Sequence, residues 1–150
     1  MIQIARSFLE RIERAAEVAY PEECCGLLVG RRGAADDILV TRVAESANVT
    51  TGDARTSFEV DPRVLLALMK EFRGRDDDIV GLYHSHPDHS AEPSARDLDR
   101  VFEPDLVWLI TAVAQGRSVE TRAHVYEPEG PHFRAVALRA TMGEEGGQAS

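Results

Sequence analysis

At 150 residues the chain has the size of one ordinary domain, and its formal net charge of −9, from 17 basic and 26 acidic side chains, leaves no basic stripe on which nucleic acid could be held. Hydrophobic residues at 43% and charged residues at 29% are those of a soluble globular protein, and no run nears the roughly 20 apolar residues of a membrane span. The start, Met1-Ile2-Gln3-Ile4-Ala5-Arg6, lacks the basic stretch and apolar segment of a secretory signal, so a cytoplasmic location is expected.

Ser7-x-x-Glu10 is a capping-box pattern, and Phe8, Ile12, Ala15, Ala16 and Ala19 recur at helical spacing; a helix over 7–20, stopped by Pro21, is predicted. Residues 24–29 read as a strand buried on both faces, with 38–43 as the returning partner. Cys24 and Cys25 are adjacent in that strand and face opposite sides, which argues against a mutual disulfide and for buried thiols. A catalytic cysteine is the weaker reading. The polar, aperiodic stretch 48–57 is a loop, either an ordinary crossover or a rim that closes over an extended substrate. Phe58-Glu59-Val60 follows as a short strand. Asp61 then caps a helix with Pro62 at its first position, Val64, Leu65, Leu68, Met69 and Phe72 as a core-facing stripe, and Gly74 at its end. Residues 75–78 form a solvated acidic connector.

The apolar run Ile79-Val80-Gly81-Leu82-Tyr83 leads into His84-Ser85-His86-Pro87. The period of a strand turns both imidazoles to the same side, and Pro87 ends the ladder. The next regular pattern begins near Ser94 and carries Leu98, Val101 and Phe102, predicting a helix over 94–102 with Ser94 and Asp97 in its first turn. Two imidazoles and one carboxylate make three ligands, and three protein ligands plus water is the catalytic form of a zinc site. Taken alone, Ser94-x-x-Asp97 is equally a capping box. Residues 106–113 are a buried strand by composition. Val119, Thr121, Ala123 and Val125 alternate with Glu120, Arg122 and His124, which places His124 toward solvent. A last strand is expected over 133–138, with Arg139 at its edge and a disordered tail from Ala140. His89 and His132 read as solvated loop residues. Three helices and seven strands indicate an α/β fold with a mixed sheet flanked by helices.

His84-x-His86, seven residues, Ser94, two residues, Asp97 resembles the signature of the JAMM (MPN+) metalloproteases. Pro21-Glu22-Glu23-Cys24-Cys25-Gly26-Leu27-Leu28-Val29-Gly30 is similar to that family's upstream glutamate segment. The resemblance runs from the first helix to Arg139 and implies an α/β/α sandwich with a mixed, largely antiparallel curved sheet, as a single domain over 1–139. It also implies His84, His86 and Asp97 as Zn2+ ligands, Glu23 as the residue that holds and deprotonates the attacking water, and Ser94 as the hydrogen-bond donor on the oxyanion side. Glu22 and Glu23 face opposite ways; Glu23 is chosen because it precedes Cys24-Cys25-Gly26 as the family glutamate precedes its own residue-Cys-Gly. The activity implied is that of a zinc peptidase or isopeptidase acting at or near the C-terminus of a protein or peptide with an extended tail. For a compact stand-alone bacterial member, a ubiquitin-like sulfur carrier is the implied partner. The alternatives are a metal-free interaction scaffold on the same fold and a small-molecule amidohydrolase on the same site.

Overall fold

The computed structural model describes residues 1–101 and 103–142. Strand β1 (Ile2–Ala5) runs directly into helix α1 (Arg6–Ala19), and β2 (Cys25–Arg32) pairs antiparallel with β3 (Ile38–Ser46). Helix α2 (Pro62–Phe72) precedes β4 (Asp78–Pro87), and the short α3 (Ala95–Asp99) leads to β5 (Val107–Ala114), β6 (Arg117–Glu127), β7 (His132–Val136) and β8 (Leu138–Thr141). The strands form one eight-stranded mixed sheet in the order β7-β6-β5-β4-β2-β3-β1-β8.

That order dictates the shape. β7 and β8 lie at opposite edges yet are separated in the chain by Ala137 alone. Eight strands laid flat would put their edges about 34 Å apart at the usual inter-strand spacing. The sheet therefore curls until its edges meet at Ala137, whose carbonyl accepts Ile2 N–H at 2.8 Å as an extension of the β1–β8 ladder. β4 lies near the middle of the sheet, antiparallel to β2 and parallel to β5, which explains its continuous apolar run. Gly81 is required there: a Cβ would come within 2.5 Å of Val107.

Each face of the sheet has its own core. On one, Ile2, Ile4, Leu28, Tyr83 and Leu109 pack with Phe8 and Ile12 of α1, whose burial stabilises the fold by about 1.5–3 kcal/mol per side chain. On the other, Cys25, Leu27, Val29, Leu82 and Trp108 pack with Phe58 and with Leu68 of α2. Cys24 joins the first core and Cys25 the second, both as free thiols, as their adjacency requires.

Several expectations are corrected. The N-cap of α1 is Ala5, with no side-chain cap, because β1 takes up Ile2–Ala5 and sets the helix start before Ser7. Phe58-Glu59-Val60 contributes one isolated bridge, Asn48 to Val60, in place of a strand. Of the α2 stripe only Leu68 is fully buried; Met69 is 52% exposed at the mouth of an apolar cavity. Helix α3 ends at Asp99, and Phe102 lies outside the described residues. Ala140 and Thr141 belong to β8, while the rest of the expected tail, 143–150, lies outside the described residues. His124 is 1% exposed, because the loop 88–94 covers the face that alternation assigns to water.

Candidate metal centre

His84 and His86 project from the same side of β4, and α3 brings Asp97 to them. The His84 and His86 Nε2 atoms are 3.1 Å apart, His84 Nε2 lies 3.2 Å from Asp97 Oδ1, and His86 Nε2 lies 3.0 Å from Asp97 Oδ2. All three residues are buried. The capping box and the ligand reading of Asp97 are one arrangement: Ser94 N–H donates to Asp97 Oδ2 at 2.9 Å, and Asp97 N–H donates to Ser94 Oγ at 3.1 Å. The cap aims the carboxylate at the histidines.

The donor set fits a small divalent cation. Ligands held at ordinary Zn–N and Zn–O lengths in a tetrahedron sit about 3.3–3.4 Å from one another, close to the separations found here. His86 Nδ1 donates to the Ser90 carbonyl at 2.8 Å, which turns Nε2 toward the cluster. The His84 ring is fixed by packing, stacked on Phe58 at 4.3 Å between centroids and met edge-on by Trp108 at 5.4 Å. Burial keeps the His84 imidazole neutral by pushing its pKa down. At His86 burial works the same way but is outweighed by the Asp97 hydrogen bond and charge, so the net shift is upward. Burial alone would raise Asp97; hydrogen bonds from both histidines hold its carboxyl far below the usual range instead. The resulting neutral imidazole and firmly ionised carboxylate are the protonation states a cation needs.

A cleft of about 470 Å³ opens beside the cluster, lined by Glu23, Thr56, His86, His89, Ser94 and Arg96 among others. Glu23 is 6% exposed, its Oε1 has no hydrogen-bond partner among the described residues, and burial pushes its pKa up to about 8. Glu22, next to it, is exposed. Ser94 is exposed on the cleft wall, and because its Oγ accepts from Asp97 N–H, its own proton is free to donate outward. His89 is exposed, and His132, also exposed, is bonded to the Gly130 carbonyl.

Burial raises the thiols of Cys24 to about 11 and Cys25 to about 12, which leaves little thiolate at neutral pH and fits the expectation of buried thiols. Sequence reasoning did not find Phe58 and Trp108 as the wall behind His84, nor His124, whose Nε2–H donates to the Ala91 carbonyl at 2.9 Å beside the Ser90 carbonyl that orients His86. Aromatic residues in two distant strand-like runs were the available signal for the wall; His124 carried none.

A curled mixed sheet with His-x-His on a central strand and a carboxylate from the following helix defines a JAB-type domain, in agreement with the JAMM motif. Residues 5–125 match the family of prokaryotic homologs of the JAB domain, and the chain belongs to that family. It is 32% identical over 132 residues to the desampylase of Haloferax volcanii, covering 88% of each chain. It is likewise 32% identical over 138 residues to a probable TtuB-protein conjugate cleaving protease of Thermus thermophilus, covering 92% of this chain and 84% of that one. The solution structure of a Desulfitobacterium hafniense protein superposes with a TM-score of 0.77 at 31% identity, covering 95% of both chains.

Proposed function

We propose that this protein is a zinc-dependent peptidase or isopeptidase that hydrolyses the amide joining the C-terminus of a ubiquitin-like sulfur carrier to a protein or short peptide. The observation that carries this reading is the convergence of the His84, His86 and Asp97 donor atoms beside a cleft that also holds a buried glutamate, Glu23. His84 Nε2, His86 Nε2 and an Asp97 oxygen would hold the zinc, which supplies Lewis acidity and a water of lowered pKa. Glu23 accepts a proton from the attacking water and returns it to the departing amine. Its raised proton affinity suits both halves of that task. Ser94 Oγ, its lone pair engaged by Asp97 N–H, donates a hydrogen bond to the oxyanion that forms at the scissile carbonyl.

The substrate class is supported by the names of the two relatives, a desampylase and a protein-conjugate cleaving protease, each aligned over most of its length. A cytoplasmic location accompanies this reading, and no helix among the described residues is long and apolar enough to cross a membrane.

The test is incubation of the zinc-loaded protein with a conjugate of a ubiquitin-like sulfur carrier, followed by intact mass. Release of the free carrier, abolished in Glu23→Gln, is expected. An intact conjugate under conditions where the protein holds one zinc per chain would count against the substrate class and turn attention to small amides.

A further inference from the structure

Glu23 belongs to no helix or strand; it stands between the end of α1 and the first residue of β2. Its backbone groups are nevertheless both engaged, and both partners come from the loop 48–57. Glu23 N–H donates to the Ala54 carbonyl at 2.8 Å, and the Glu23 carbonyl accepts from Asn48 Nδ2 at 3.1 Å.

Asn48 does more than touch Glu23. Its Nδ2 also donates to the Ser57 carbonyl at 3.0 Å, and its Oδ1 accepts from Thr50 N–H at 3.2 Å and Glu59 N–H at 3.0 Å. A carboxamide has two N–H donors and two acceptor lone pairs, so Asn48 is saturated. One side chain thus ties the Glu23 carbonyl to both ends of the loop, and the loop in turn carries the Ala54 carbonyl back to the Glu23 N–H. The same segment is anchored on the ligand side: Arg96 Nη1 donates to Thr56 Oγ1 at 2.7 Å, Arg100 Nη1 donates to the Phe58 carbonyl at 2.8 Å, and Phe58 stacks on His84. The loop is therefore a brace between the Glu23 segment and the three-ligand cluster, with Asn48 as its hub.

We propose that Asn48 is a positioning residue for Glu23: it fixes the backbone from which the Glu23 carboxylate reaches the cleft, and so governs proton transfer without contributing to metal binding. This rests on the reading of Glu23 as the base. No other common side chain reproduces the four bonds. Aspartate keeps the shape and the two acceptor bonds to Thr50 and Glu59, but loses both donors and sets a negative charge against the Glu23 and Ser57 carbonyls. Alanine leaves all four backbone groups without their partner.

The experiment compares Asn48→Asp and Asn48→Ala with wild type and Glu23→Gln, using the zinc-loaded chain and a sulfur-carrier conjugate. Zinc content is measured alongside, and so is amide hydrogen exchange of the metal-free protein. The expected result is a kcat lower by on the order of 10 to 100-fold, with KM changed by less than about two-fold and one zinc retained. Exchange protection is lost at Glu23 N–H and kept along β4. Should the alanine variant fail to fold, the isosteric aspartate variant carries the test. Wild-type kcat in a variant that has lost protection at Glu23 would overturn the proposal, as would loss of zinc, which would place the action of Asn48 on the metal centre. Wild-type activity of Glu23→Gln is a different result: it would reject Glu23 as the base and with it any positioning through Glu23, whatever Asn48→Asp does.

Discussion

The ligand side and the Glu23 side of the cleft are supported in opposite ways. On the ligand side the hydrogen-bonded supports are local: His84 and His86 share a strand, the carbonyl of Ser90 orients His86 from four residues away, and Ser94 fixes Asp97 within one helical turn, while the His84 ring also packs on the more distant Phe58 and Trp108. Glu23 has no such neighbours. It is held through Asn48, 25 residues on, and through Cys24 N–H donating at 2.8 Å to Ser85 Oγ, 61 residues on. A locally built half keeps its geometry when a distant loop is disturbed, whereas the other half takes both backbone bonds of Glu23 from that loop. Metal binding and catalysis should therefore separate under mutation.

The largest effects test the local half. His84→Ala, His86→Ala and Asp97→Ala are each expected to lose the zinc and reduce turnover to background, and a chelator should do the same to wild type, reversibly on adding zinc. Elemental analysis and kcat measure both. Retention of stoichiometric zinc in any of the three would mean that the cluster is not the binding site.

Next comes Glu23→Gln, expected to cut kcat by on the order of 10² to 10⁴ while keeping the zinc. It also carries a pH signature in the metal-free protein. Burial raises the Glu23 carboxyl in the folded state to about 8, against an ordinary value of about 4.5. A raised pKa means that the folded form favours the protonated acid, so this contribution to stability is complete below about 4.5 and is lost as pH rises through 8. Denaturation in the presence of a chelator should show wild type losing up to about 5 kcal/mol relative to Glu23→Gln between pH 4 and pH 9. Parallel pH profiles of the two proteins would show that the glutamate is already solvated.

What could be read beforehand follows the same division. The spacing from His84 to Asp97 is visible because strand period, a terminating proline and a helix cap act over a few residues, and those forces need no tertiary context. The choice of Glu23 over Glu22 came from motif alignment, since alternation says only that they face apart; the structure puts Glu23 on the cleft and Glu22 in solvent. The loop 48–57 looked featureless, because all four bonds of Asn48 go to backbone groups, which leave no mark on sequence. β1 went unseen, being only four residues long, and its pairing with β3 and β8 overrode the capping pattern at Ser7. His124 was assigned to water because alternation presumes one wet face, and here a loop covers it.

Of intermediate size is the effect of Ser94→Ala. It removes the cap of α3 and the proposed donor to the oxyanion, so about 1 kcal/mol of stability and on the order of 10² in kcat should be lost. Calorimetry and steady-state kinetics read the two separately. Ser94→Asn, which preserves a capping oxygen, should recover stability ahead of rate.

The smallest effect asks whether the ligand side is as self-sufficient as its bonds suggest. His124 lies behind it on β6, buried, donating to the carbonyl of Ala91, itself fully buried against Ile110 and Ala112. The preceding carbonyl, Ser90, receives the Nδ1 proton of His86. His124→Leu fills similar space but leaves the Ala91 carbonyl buried without a donor, a cost of about 1–3 kcal/mol in stability. If the strand and the capping box hold the ligands by themselves, that cost stays in the fold: the denaturation midpoint falls, while zinc affinity changes by less than about ten-fold. A zinc affinity lower by about 100-fold at unchanged fold would show that the Ser90 carbonyl is held from outside by His124. The ligand side would then depend on a remote brace much as Glu23 does, and the contrast between the two halves would become one of degree.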